Sequence, residues 1–158
     1  MNLFTLNIML AVSWMLINGS FSIFNFFVGF VVGFLSLSLT QTTKGTLSYG
    51  RQSWAAVCLL AFFLKEVLIT SIRVVWDVLT PTHLSEPDII HYPLDAKSDL
   101  EIMLLANMIS MTPGSLTLDI SEDRAYLIVH AMFARDKEAV IAELKFGLEK
   151  RLLEVTRG

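Results

Sequence analysis

The chain has 158 residues, 54% of them hydrophobic and 17% charged, with a formal net charge of −3. That is too apolar for an ordinary soluble domain, and the lack of a basic excess argues against nucleic acid as a partner. The charges are unevenly placed: Met1–Thr43 contains no Asp, Glu, Lys or Arg, and every charged side chain lies at or after Lys44. Such a pattern joins a membrane segment to a soluble one. Cys58 is the single cysteine, which excludes an internal disulfide; it sits in an apolar run as a small core or lipid-facing residue.

Two apolar runs open the chain, Leu3–Ile17 and Phe21–Leu39, separated by Asn18-Gly19-Ser20. The start has no Lys or Arg and no small-residue cleavage site, so the segment reads as retained rather than as a signal peptide. The short break predicts a helical hairpin. Its first run is near the lower limit for spanning, because about 20 residues are needed to cross about 30 Å of hydrocarbon. The second run carries Gly29-x-x-x-Gly33. Small residues at that spacing let another helix approach closely, although glycine is also common in such helices without that role. Gln41–Gln52, with Lys44, Gly45, Gly50 and Arg51, reads as a polar loop.

Trp54–Leu79 reads as an amphipathic helix. At about 100° per residue, Lys65, Glu66, Thr70, Arg73 and Asp77 fall within an arc of about 140°, opposite a face of Leu and Val side chains. Such a helix lies in the membrane interface, or crosses with its polar stripe against protein. The two positive residues Lys44 and Arg51 favour the cytoplasm. With the helix flat or partly inserted, the C-terminal part is expected on the same side; with the helix crossing, it is on the other.

Pro81 and Pro87 bracket a linker containing His83 and Glu86, after which Asp88–Leu94 reads as a strand with Pro93 at its end. Ser98-Asp99-Leu100-Glu101 has the spacing of a capping box and predicts a helix to about Ser110, stopped by Thr112-Pro113-Gly114. Ser115–Ile120 alternates with Leu116, Leu118 and Ile120 on one face. Arg124–Met132 alternates with Leu127 and Val129 opposed to Tyr126, Ile128 and His130. The polar turn Ser121–Asp123 makes these a β-hairpin. Asp136 caps a last helix to about Val155. The fold expected is therefore membrane α joined to α/β: a transmembrane helical hairpin over residues 1–39, an amphipathic or third membrane helix over 53–80, and a cytoplasmic domain over 88–156. That domain is a ferredoxin-like βαββα layer lacking its last strand.

Signs of chemistry are absent. There is no phosphate loop or dinucleotide turn, and His83, His91 and His130 have no second ligand at metal spacing. Ser110, Ser115, Asp119 and His130 can be drawn as a triad, but any domain of this size offers such a set. No enzyme activity, cofactor or metal is expected. The charged stripe Lys65, Glu66, Arg73 and Asp77 holds the best functional candidates. It reads as a headgroup-facing stripe, as a set pairing with charges on neighbouring subunits, or, less simply, as part of an ion path, which needs several polar helices around a cavity.

The run Leu105-Ala106-Asn107-x-Ile109-Ser110-x-Thr112-Pro113-Gly114-Ser115-Leu116-Thr117-Leu118-Asp119, followed by Asp123-Arg124-x-x-Leu127-x-Val129-His130, resembles the signature of the E-type subunit of the Mrp-type multisubunit sodium/proton antiporters. The layout resembles it over nearly the whole chain; Ser115 stands where Thr is expected. The resemblance implies a multi-pass subunit of a bacterial inner-membrane complex that exchanges internal Na+ (sometimes K+) for external protons, supporting alkaline and salt tolerance. It implies partners among the other subunits and membrane lipid. It also implies an accessory role in assembly, since the family's large subunits are the carriers of the ion path. Asn107, Thr112, Pro113 and Gly114 are then structural motif residues. The rival from another class is a membrane-anchored regulatory domain that binds a small ligand.

Overall fold

The computed structural model describes residues 3–40, 46–81 and 85–157. Lys44 and Gly45 of the expected polar loop, and His83 of the linker, lie outside the described residues. The chain divides into two compact units, one up to Trp54 and one from Ala55 to Arg157.

In the first unit, α1 (Leu3–Ile17) and α2 (Ile23–Thr40) form a hairpin. Gly19 has φ 62°, which closes α1 while the Gly19 and Ser20 N–H groups donate to the Leu16 and Met15 carbonyls. Ser22 Oγ accepts from the Asn25 N–H (3.1 Å), starting α2. The helices meet at glycine. A Cβ on Gly29 would lie 2.7 Å from Trp14 Cβ and 3.0 Å from the Ala11 backbone, and one on Gly33 would lie 2.4 Å from Asn7 Oδ1. The seat of these glycines is thus α1 of the same chain. Outward, Ile17, Phe21, Ile23, Phe24 and Phe27 are exposed.

Both hairpin helices are short, 15 and 18 residues. Among the described residues, only Gly50–Leu79 is a helix stretch long and apolar enough to cross a bilayer. It belongs to α3, which runs unbroken from Thr46 to Leu79. The expected loop therefore differs over Thr46–Gln52, which is helical. Polar side chains there argue for exposure rather than irregularity. The segment contains no proline, and Gly50 lowers helix stability by only about 1 kcal/mol.

The second unit holds the rest of α3 and a three-stranded antiparallel sheet of β1 (Asp88–Pro93), β2 (Ser115–Ile120) and β3 (Tyr126–Ala131) in the order β1-β3-β2. That order is the one a ferredoxin-like layer has when its last strand is missing. α4 (Asp99–Met111) lies between β1 and β2, and α5 (Lys137–Leu144) and α6 (Lys150–Arg157) follow β3. Both halves of the capping box are present: Ser98 Oγ accepts from the Glu101 N–H, and the Glu101 carboxylate accepts from the Ser98 N–H. Asp136 caps α5 through the Ala139 N–H (3.0 Å).

Two departures from the expected pattern stand out. A bulge between Thr117 and Asp119 breaks the alternation of β2, so Leu116 pairs with His130 while Ile120 pairs with Leu127. Leu116 and Ile120 therefore lie on opposite faces, because the extra residue shifts the register by one. The last helix is not continuous: Lys145–Glu149 forms a π-helical turn between α5 and α6. The turn leaves the Phe146 and Gly147 carbonyls to Arg151 Nη1, at 2.9 Å each.

The core of this unit is Tyr92, Leu105, Ile109, Leu127, Val129, Leu148 and Leu152, with Leu59, Phe62 and Phe63 of α3 packed against it. A Cβ on Gly147 would lie 3.1 Å from Phe62 Cζ, and the Arg151 guanidinium sits 4.0 Å over the Phe62 ring. These contacts seat α3 on the π turn.

Candidate functional site

Along α3, Leu60, Leu64, Leu68, Ile72, Trp76 and Leu79 are exposed. They recur at about one helical turn, so one side of the helix is a continuous apolar stripe. The polar arc faces the other way, toward the chain's own domain. Glu66, Thr70 and Arg73 line a cavity of about 80 Å³ together with Thr112, Gly114 and Glu143. The Glu66 and Glu143 carboxyl groups both border this cavity, like charges on facing elements. The Arg73 guanidinium stands 5.8 Å from the centre of the Phe133 ring, close enough for cation–π attraction. Thr70 Oγ1 donates to the Glu66 carbonyl (2.8 Å). Asp77 is buried and its carboxylate accepts the Ser85 N–H (3.1 Å), pinning the start of the domain to the end of α3. Lys65 is exposed and does not line the cavity. The structure thus brings Glu66 and Arg73 together, sets Asp77 at a joint and leaves Lys65 outside.

The Thr-Pro-Gly corner forms the cavity's opposite wall. Thr112 Oγ1 donates to the Ile109 carbonyl (2.6 Å) and lies 2.7 Å from Ser115 Oγ, which donates to the same carbonyl (2.7 Å). Pro113 cannot continue a helical ladder, and Gly114 has φ 89°, a left-handed conformation that glycine adopts without strain. Asn107 stands apart from this corner, exposed on α4. Ser110 Oγ accepts the Thr117 N–H (3.0 Å), and Thr117 Oγ1 donates to the Ala106 carbonyl (3.1 Å), so the polar residues of the signature fasten β2 to α4. Ser110, Ser115 and Asp119 are each engaged locally, Asp119 with the Ile120 N–H. His91 stacks on Tyr126 at 5.1 Å. Among the described residues no group of three or more His, Cys, Asp or Glu side chains is placed to hold a metal ion.

Two carboxylates are buried in a way the sequence did not announce. Glu149 accepts from Tyr92 Oη (2.7 Å), the Asp95 and Ala96 N–H groups (2.8 and 2.9 Å) and Lys145 Nζ (2.8 Å). Burial, and then the Glu149 carboxylate, push the Tyr92 hydroxyl above the ordinary tyrosine value. Glu101 accepts from Arg157 Nε and Nη2 (3.0 and 2.9 Å), Thr156 Oγ1 (2.9 Å) and the Lys97 N–H (2.9 Å). The Arg157 guanidinium foremost, with the Lys97 N–H, holds the Glu101 carboxyl well below the usual carboxylate range. The i,i+4 spacing of Lys145 and Glu149 was a readable sign of their pairing; nothing local marked Glu149 as buried.

Comparison with known proteins gives a consistent picture. The sequence profile of a family described as Na+/H+ ion antiporter subunit matches residues 7–155. The E-type Na+/H+ antiporter subunit of Alkalihalophilus pseudofirmus is 36% identical over 152 residues, covering 96% of each chain. That of Bacillus subtilis is 34% identical over the same length and share. A chain of the Mrp complex from Dietzia sp. is similar in structure, with a TM-score of 0.52 and 32% identity over 65% of this chain and 96% of that one. A chain of the membrane-bound sulfane sulfur reductase, an archaeal respiratory membrane complex, shares the fold at a TM-score of 0.50 and 21% identity, covering 82% of this chain and 83% of that one.

Proposed function

We propose that this chain, which belongs to the family of E-type Na+/H+ antiporter subunits, is an accessory subunit that completes the complex and leaves the ion path to other subunits. As a member of that family it is a membrane protein and part of a transporter complex rather than an enzyme. The observation that carries the accessory reading is the orientation of α3. Glu66 and Arg73 close on the chain's own domain and Asp77 on its own backbone, while the outward side is apolar apart from Lys65. An ion path needs polar groups around an opening, and Met1–Thr43 supplies no charged residue. The uncovered apolar surface calls for partner helices or lipid. Exchange is of Na+, or of K+, for protons. The rival regulatory reading loses support at the α3 cavity, which at about 80 Å³ is far below the several hundred Å³ of ordinary ligand sites.

The C-terminal domain lies in the cytoplasm, the hairpin of α1 and α2 in the membrane, and α3 in the interface. Leu59, Phe62 and Phe63 pack on the domain core, and Asp77 is tied to Ser85. A domain with buried carboxylates packed along this length cannot enter hydrocarbon beside it. The remaining Thr46–Cys58 stretch is about 20 Å long at 1.5 Å per residue, short of the about 30 Å needed to cross. Its apolar stripe faces lipid and its polar arc the domain.

The test is sodium-driven proton flux in everted vesicles, read beside the amount of intact complex. Loss of the chain is expected to lower both together. Flux from vesicles holding this chain alone would overturn the accessory role, and full assembly with abolished flux in Glu66→Gln or Lys65→Ala would move α3 into the mechanism.

A further inference from the structure

Between α4 and β2 runs an open groove of about 380 Å³. Met103, Ala106, Leu118 and Ile120 give it an apolar lining, with Asp99 and Asp119 at its rim. Leu118 stands in the bulge and is 50% exposed, and Met103 is 53% exposed. Beside the groove, Leu100 and Met111 are exposed on the same stripe of α4 as Met103, with Asn107 between them. Apolar groups so placed, at helical spacing and with an adaptable methionine at the centre, suit an inserted helix.

The edge of β2 disfavours the other common mode. Its outward N–H groups are already donated: Ser115 to the Thr112 carbonyl (3.2 Å), Thr117 to Ser110 Oγ (3.0 Å) and Ile120 to Asp119 Oδ1 (2.8 Å). A strand laid beside β2 would have to displace these contacts, which favours an occupant that enters by its side chains. The charge at the rim selects further. Arg124 and Asp99 offset each other in an ion pair, and Asp119, with Glu122 and Asp123 of the adjoining turn, leaves the excess negative. Like charge at this rim repels an anionic lipid surface and favours a basic partner.

We infer that this groove is the docking site for an amphipathic helical segment of another subunit of the complex, carrying an apolar anchor side chain flanked by Lys or Arg. The inference deepens the subunit reading and rests on it. The experiment uses the complete complex in membranes, in a Cys58→Ala background, with Met103→Cys or Leu118→Cys carrying a benzophenone maleimide. After illumination, the expected product is a cross-link to a Lys- or Arg-flanked apolar segment of another subunit. A maleimide probe should also modify Leu118→Cys about tenfold more slowly than the exposed control Glu154→Cys, as a site ringed by a partner excludes solvent. Asp119→Lys should lower the recovered complex several-fold and Asp119→Asn less. Cross-links only to lipid or to a second copy of this chain, or equal labelling of the two cysteines in an intact complex, would overturn the docking site and leave the subunit reading standing. A tagged chain that recovers no other subunit would overturn both.

Discussion

The N-terminal hairpin and the C-terminal domain are held together by opposite means. In the hairpin the close contact is made by what is missing: Gly29 and Gly33 have no side chain, and α1 occupies that space. The domain is held by groups that are present and satisfied, above all the carboxylates of Glu149 and Glu101 inside a ring of donors. The difference fits the proposed placement of the hairpin in the membrane and the domain in water: without water, helix association depends on van der Waals approach, whereas in a water-facing domain with a small core buried charge can fix one arrangement provided every lone pair is used.

The comparison is broken most directly at Glu149. Glu149→Ala leaves Tyr92 Oη and two backbone N–H groups without their acceptor and Lys145 with Asp95 alone, and should destabilise the domain by about 3–5 kcal/mol. Thermal unfolding of the purified chain, followed by near-UV and far-UV circular dichroism, should show the domain's near-UV signal lost early while the far-UV helix signal of the hairpin persists. Loss of both signals together would show that the two units are not independent. The converse change is Gly29→Ile, whose side chain meets the Ala11 backbone as well as Trp14. Overpacking of this kind costs about 1–3 kcal/mol; it should reduce recovered complex without moving the domain's melting temperature.

Gly114→Val tests the corner. The space around its Cβ position is ordinary, with Met132 Cβ and Phe133 Cε2 at 3.6 Å. The penalty is therefore conformational, about 1–3 kcal/mol, and Gly114→Ala should behave nearly as badly. A mild Ala variant with a severe Val variant would point to crowding instead.

The smallest effect expected is a pH dependence confined to the domain. The Tyr92 hydroxyl is raised above its ordinary value, so its contribution is complete below the unfolded value of about 10 and is lost as pH rises above it. Glu101 has the opposite sign: its contribution is complete above the usual carboxylate range and is lost as pH falls below it. Tyr92→Phe should flatten the alkaline loss while lowering stability at neutral pH by about 1–2 kcal/mol, because Glu149 loses a donor. Unfolding midpoints in denaturant from about pH 2 to about pH 12 would measure both arms.

Local signals carried much of this architecture. The Ser98–Glu101 capping box, the Asp136 cap and the two strands around Ser121–Asp123 were each visible as short-range patterns, and each is present. The polar arc of α3 was also visible, but not its direction. Whether Glu66 faces a neighbouring subunit or Glu143 of its own chain depends on how the helix seats, and that is decided by Phe62 against Gly147. The bulge in β2 and the π turn escaped for the same reason. Both are one-residue offsets with no composition of their own, adopted because distant partners reward them. Polarity at Thr46–Gln52 misled in another way, since a polar sequence forms a helix as readily as a loop when nothing breaks the ladder.

The π turn at Lys145–Glu149 carries a consequence for how this chain can vary. A π turn takes up one added residue within an α-helix, so the residues beyond it are shifted by one position, about 100°, from where an unbroken helix would place them. α5 packs toward β1, and α6 toward α4. Deleting one residue from the turn would regularise the backbone and leave Leu152 and Arg157 facing their partners. The same deletion in α5 or α6 would swing the residues beyond it off theirs, so within this segment the turn is the place where a one-residue change of length is tolerated.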